Sequence, residues 1–127
     1  MQKEIQSDQA PAPIGPYSQA IAFNNMIFTS GQIAIDPLSG QLFEGEIEAE
    51  AALVLDNLKA VLGAGGSNLK QVLKCTIFIK DMSLFSRINE VYAQYFSVDP
   101  APARETVEVC ELPKGANIEI SAIAYTS

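Results

Sequence analysis

The sequence predicts an α+β domain, a mixed sheet that carries two helices on one of its faces. Three observations lead there. The hydrophobic period lengthens from two to between three and four residues in only two stretches; the other apolar runs are short and bounded by Asn, Pro and Gly turns. The two helical stretches also fall irregularly among the strands, without the strict alternation of a parallel α/β sheet.

Residues 17–23 and 26–30 are apolar runs on either side of Asn24-Asn25, a pair that tolerates positive φ and closes a tight hairpin. Residues 31–35 form a third extended stretch, ended by the turn signals of Asp36-Pro37-Leu38-Ser39-Gly40. Over residues 47–62, Ile47, Ala51, Leu55, Leu58 and Leu62 recur at helical spacing, and Gly63, Gly65 and Gly66 stop the helix. Residues 73–80 alternate: Leu73, Cys75, Ile77 and Ile79 point one way and Lys74, Thr76, Phe78 and Lys80 the other, as in a strand covered on one face. Residues 84–96 return to helical spacing through Phe85, Ile88, Tyr92 and Tyr95, with Ser83 as the expected N-cap and Pro100 and Pro102 beyond the end. Residues 106–110 and 117–125 are the last two strands, joined through Leu112-Pro113-Lys114-Gly115. No repeat or linker interrupts the 127 residues, which are expected to form a single domain whose core needs neither disulfide nor metal.

With both helices on one face, the other face is expected to hold Tyr17, Gln19, Ile21 and Phe23 of the hairpin and Glu119, Ser121, Ile123 and Tyr125 of the last strand. That surface is too apolar for water, so it reads as a subunit interface in a closed oligomer.

The chain has no histidine, which excludes Ser-His-Asp and Cys-His catalysis, histidine acid/base chemistry and His-ligated zinc. Eight Lys and Arg against fifteen Asp and Glu leave a net charge of −7, and the lysines are scattered singly, so nucleic acid is not an expected partner. No apolar run approaches the ~20 residues that cross a bilayer. The N-terminal residues lack a signal-peptide core, and Cys75 and Cys110 lie outside any CxxC spacing. A cytoplasmic protein with reduced thiols and no membrane partner is expected.

The chain has two arginines, Arg87 and Arg104. Pro100-Ala101-Pro102-Ala103 makes a stiff, small-residue approach that fixes where the Arg104 guanidinium emerges, and its planar fork matches a carboxylate. A surface ion pair is the ordinary alternative. On a strand, Arg104 shares a face with Thr106, Glu108 and Cys110 while Glu105 points away. Glu119, on the following strand between Ile118 and Ile120, is the expected neighbour of Arg104; it is either a partly buried carboxyl of raised proton affinity or a structural ion pair. Tyr17 and Ser30 fall at strand ends beside Gly15-Pro16 and Gly31, where hydroxyls and backbone amides can converge on a ligand, although simple packing accounts for such residues as well. Asn89 is equally a helix-surface residue, Cys75 reads as core, and Cys110 either packs or reacts. No metal-ligand spacing is present.

Taken together, Ala12-Pro13-Ile14-Gly15-Pro16-Tyr17-Ser18-Gln19-Ala20, Thr29-Ser30-Gly31-Gln32-Ile33, Pro102-Ala103-Arg104 and Leu112-Pro113-Lys114 with Ile118-Glu119-Ile120 closely resemble the RidA (YjgF) family of reactive-intermediate deaminases over nearly the whole chain. The resemblance implies a chorismate-mutase-like fold and a homotrimer with a central β-barrel and sites in the clefts between subunits. It also implies hydrolysis of 2-aminoacrylate and 2-iminobutanoate to 2-oxo acids and ammonia without a cofactor. By the same resemblance Arg104 clamps the substrate carboxylate, Glu119 positions the attacking water with Tyr17 beside it, and Ser30, Gly31, Asn89 and the backbone at Thr106 line the pocket. Thr106 stands where many relatives carry Cys, Glu105 follows the Arg where a small neutral residue is common, and the loop 97–101 looks short. A non-catalytic module that binds a 2-oxo acid in the same cleft is the competing reading. Ribonuclease activity, which family members often carry as a label, fits poorly with the net charge and the missing histidine.

Overall fold

In a computed structural model that describes residues 1–127, the chain forms β1 (Lys3–Ile5), β2 (Ala20–Phe23), β3 (Met26–Thr29), α1 (Ile47–Ala64), β4 (Val72–Ile79), α2 (Phe85–Tyr95), β5 (Ala103–Glu108) and β6 (Ile118–Tyr125). The strands make one mixed sheet in the order β1-β2-β3-β6-β4-β5, with only β4 and β5 parallel. Both helices lie on the same face of it. Val54, Leu55, Leu58 and Leu62 of α1 and Ile88 of α2 close over Ile27, Ile77, Ile79, Ile118 and Ile120 of the sheet, all essentially inaccessible to solvent.

The expected α+β architecture is therefore present, and Asn24 and Asn25 close the β2–β3 hairpin with φ of 49° and 64° as their side chains allow. Several local expectations are corrected. Residues 31–35 are not a strand: they make isolated bridges from Gln32 to Ile120 and from Ile35 to Leu42. The buried Asn57 of α1 donates Nδ2 to the carbonyls of Ile33 and Ile35 at 3.2 and 2.9 Å, so a helix side chain takes over what a ladder would supply. β1 was not expected, because it has one buried residue, Ile5, and no alternation to reveal it. A bulge between Val72 and Lys74 turns Val72 into the core and leaves Leu73 exposed, the reverse of the simple period-two reading. β5 begins at Ala103 instead of residue 106, since pairing with β4 starts directly after Pro102 and carries Arg104 into the sheet. Asp81, not Ser83, caps the turn before α2, accepting from the Ser83 amide and hydroxyl.

α1 ends at Ala64, where Gly65 meets the sheet. A Cβ on Gly65 would lie 2.6 Å from Ile5 Cδ1 and 2.7 Å from Ile27 Cδ1, so the missing side chain lets the helix end settle against β1 and β3. At the other end, Arg87 of α2 donates to Glu48 and Glu46 at 2.7 to 2.8 Å, and this holds the Glu48 carboxyl at about 2.

The helix-free face carries Ile21, Phe28 and Ile123 in one cross-strand row and Phe23, Met26 and Tyr125 in the next. Phe23, Phe28 and Val107 are each 44% exposed. Tyr17 precedes β2, and Gln19, expected on this face, is buried. No helix is long and apolar enough to cross a membrane.

Glu50, on the buried side of α1, accepts from the Asn117 amide at 2.9 Å and from its Nδ2 at 2.8 Å, tying the helix to the residue that precedes β6. Glu50→Ala leaves these donors without a partner and should cost about 1–3 kcal/mol of stability. Urea unfolding checks this, and an unchanged midpoint would show that the tie contributes nothing.

Candidate active site

A cavity of about 480 Å³ opens beside the start of β6, between the segment that precedes β2 and the residues that follow β3. Its first wall is built by Gln19. The buried carboxamide accepts from the Ser7 amide at 2.7 Å and donates to the carbonyls of Pro11 at 2.8 Å and Ser7 at 3.2 Å, which holds Pro11, Ala12 and Ile14 over the cavity. The opposite wall follows from the Gln32 bridge: Gln32 and Ile120 exchange both backbone hydrogen bonds, at 2.8 and 3.0 Å, and so lay Gly31 directly against Glu119. A Cβ on Gly31 would lie 2.5 Å from the Glu119 carboxyl, so only glycine admits the carboxylate here. Half-burial pushes the Glu119 pKa above 4.5, with loss of hydration as the cause. The Ser30 hydroxyl donates to the Ser18 carbonyl at 2.6 Å, leaving its lone pairs to accept. Tyr17, about half exposed, stands at the rim.

Arg104 belongs to a second cluster. In register it lies beside Cys75, on the helix-covered face of the sheet. Its Nη1 donates to Asn89 Oδ1 at 2.6 Å, and its guanidinium carbon stands 4.8 Å from the Tyr92 ring centre and 5.5 Å from that of Phe85. Thr106, next on the same face, has a buried hydroxyl oxygen without a partner. Burial pushes the Cys75 thiol and the Tyr92 hydroxyl above their ordinary pKa values. Glu105 points to the other face, where it pairs with Lys74 at 3.1 Å and stays clear of the guanidinium.

The structure thus brings Tyr17, Ser30, Gly31 and Glu119 together, and separately Arg104, Asn89 and Thr106. It corrects the expected pairing of Glu119 with Arg104: β4 lies between β5 and β6, and Glu119 aligns with Phe78 on the open face while Arg104 aligns with Cys75 on the covered one. Sequence order suggested adjacency; sheet order and strand parity remove it. Lys114, which lines the Glu119 cavity from a left-handed backbone with φ of 58°, was not singled out, although the Pro113–Gly115 turn around it marks a chain reversal. Phe85 and Tyr92 fall on the apolar stripe of α2, as the helical spacing predicts. No group of three or more Cys, Asp or Glu side chains is placed to hold a metal ion.

An α+β fold of this topology is shared with known proteins. The family described as Endoribonuclease L-PSP matches residues 7–126. A RutC family protein of Pyrococcus horikoshii is 50% identical over 98% of each chain. The 2-iminobutanoate/2-iminopropanoate deaminase of Bos taurus is 44% identical over 98% of this chain and 90% of the bovine one. The crystal structure of the YjgF gene product of E. coli superposes with a TM-score of 0.93 at 41% identity, covering 98% of this chain and 99% of that one. The chain belongs to this L-PSP family, the RidA (YjgF) family.

Gly31→Ala should keep the fold, with a stability change of no more than ~1 kcal/mol, because the group it meets is the mobile end of a side chain. The Glu119 carboxyl should swing toward water, and its pKa should fall back toward 4.5. A carbon-detected NMR titration reads that shift; an unmoved titration curve would contradict the contact.

Proposed function

We propose that this protein is an imine deaminase that works as a homotrimer, hydrolysing 2-aminoacrylate and 2-iminobutanoate to 2-oxo acids and ammonia. The observation that carries the reading is the separation of two complementary half-sites on opposite faces of one sheet: a cation with open donors at Arg104 and a carboxyl of raised pKa at Glu119. Neither half is a complete site. β5 is an edge strand, and the exposed apolar rows around Phe23, Phe28 and Val107 supply a face for a neighbouring chain. In a homotrimer in which the β5 edge of one chain lies beside the start of β6 in the next, Arg104 and the Glu119 cavity of neighbouring chains would complete one site. The deaminase name of the bovine relative supports the same chemistry.

In this scheme Arg104 holds the substrate carboxylate, with Thr106 beside it as a further polar contact. The enamine is first protonated at C3 to give the imine. Water held by Glu119, with Tyr17 at the rim, adds to the C2=N carbon. Glu119 takes a proton from water and gives it to nitrogen; as the C2–N bond breaks, the proton of the new hydroxyl passes to the Glu119 carboxylate and on to solvent, replacing the one taken from solvent at C3, and a 2-oxo acid and ammonia remain. Ser30 and Gly31 shape the wall on which the carboxyl rests, and Asn89 stands behind the Arg104 fork. An imine carbon is already electrophilic, so orientation and modest proton transfer suffice and histidine is not required.

The base form of Glu119 is the active one, so kcat/KM should fall as pH drops through a pKa above 4.5. Ammonia release from 2-aminoacrylate generated in situ should be lost in Arg104→Ala and in Glu119→Gln; full activity in Arg104→Ala would sink the assignment. A site shared between chains also predicts complementation: subunit exchange between the two inactive variants should restore about a quarter of wild-type activity, the fraction of sites that draw both residues from intact chains. No recovery in verified mixed oligomers would place the site within one chain. An inactive wild type that still binds 2-oxobutanoate would leave a binding module in place of an enzyme.

A further inference from the structure

The two arginines of the chain are held in opposite ways. Arg87 is bonded to two carboxylates, Glu46 and Glu48, and its charge is spent on them. Arg104 touches no carboxylate; its surroundings are one neutral amide oxygen and two aromatic faces, all from α2. Phe85, Asn89 and Tyr92 stand at i, i+4 and i+7, so a single helix face presents all three to the side chain rising from β5. A long side chain at a sheet edge otherwise loses rotamer freedom only when a ligand arrives. Here the two rings attract the guanidinium through their quadrupoles, and Asn89 occupies one Nη1 donor, so the fork is held without being neutralised and its remaining donors stay available.

The Tyr92 ring is fixed in turn. It is buried and stacked on Phe96 with centroids 4.6 Å apart. Its hydroxyl has no hydrogen-bond partner, so the ring face, and not the hydroxyl, is what this position supplies to Arg104.

We infer that Phe85, Asn89 and Tyr92 are positioning residues that aim the Arg104 guanidinium at an incoming carboxylate while leaving its charge intact. The inference rests on reading Arg104 as the carboxylate clamp, and it assigns Asn89 a role exerted through Arg104 and not on the reacting carbon.

The test uses the full chain with two readouts: steady-state imine hydrolysis, and calorimetric binding of 2-oxobutanoate, which needs no catalysis. Asn89→Asp, a change at the helix surface that preserves side-chain size, introduces an anion that engages the fork. It should raise KM and the 2-oxobutanoate Kd about tenfold or more while kcat falls less than about threefold. Tyr92→Leu removes the ring and should raise both constants about tenfold. Tyr92→Phe keeps the ring and should bring them back to within about twofold of wild type. A folded Asn89→Asp protein with wild-type KM and Kd would overturn the inference, as would a collapse of kcat at unchanged KM. An active wild type with unaffected variants defeats this inference alone. A wild type that binds 2-oxobutanoate without hydrolysing imines defeats the proposed reaction, and the binding arm still decides the positioning role. A wild type that neither binds nor hydrolyses defeats both.

Discussion

Because successive side chains on a strand point to opposite faces, β6 sends Ile118, Ile120, Ala122 and Ala124 into the core and keeps Glu119, Ser121, Ile123 and Tyr125 on the open side. The same rule on β5, set in register by β4, turns Arg104 and Thr106 toward the helices and Glu105 and Val107 away. One residue of slippage in either strand would exchange core for surface, so burial of the isoleucines on β6 and β4 enforces the facing of Glu119, Arg104 and Glu105. The two half-sites are separated by this packing constraint, and the proposed assembly is the arrangement that reunites them.

The cavity is shaped by polar side chains that have no place in the sheet ladder. Gln19, Asn57 and Glu50 are each at most 3% exposed, and each spends its hydrogen bonds on backbone or amide groups of segments that lack regular structure of their own. Burying such groups is unfavourable unless they are fully bonded, so each tolerates few alternative loop positions. Gln19 thereby fixes the segment over the Glu119 cavity, and Asn57 fixes the residues after Gly31. The carboxyl of Glu119 is then desolvated by walls held from two sides, which is the physical origin of its raised pKa.

In a chain of net charge −7, a cation that remains unneutralised needs an explanation. Surplus carboxylates are close at hand, and Arg87 is captured by two of them. Arg104 escapes because β5 parity sends Glu105 to Lys74 on the opposite face, and because Glu108 turns back to accept from the Met82 amide at 2.7 Å. Neutral neighbours then define its direction. Its charge stays available in a chain whose net acidity repels polyanions.

Alternation at Ile118 to Tyr125, the helical spacing through Leu55, Leu58 and Leu62, and the Asn24-Asn25 turn are local properties, so composition and periodicity alone determined the α+β class, the two helices and the central strands. The same reading determined the absence of histidine chemistry, the prominence of Arg104 and Glu119, and the direction in which Glu105 points. Tertiary structure decided what depends on residues distant in the chain. The order that inserts β4 between β5 and β6, the capture of residues 31–35 by Asn57, the pairing of the short β1 and the bulge at Leu73 leave no periodic trace, because each is fixed by a partner in another element. The separation of Arg104 from Glu119 is the clearest case: their types and strands are written in the sequence, but strand order is a balance of long-range burial, and only the folded sheet shows that they face opposite ways.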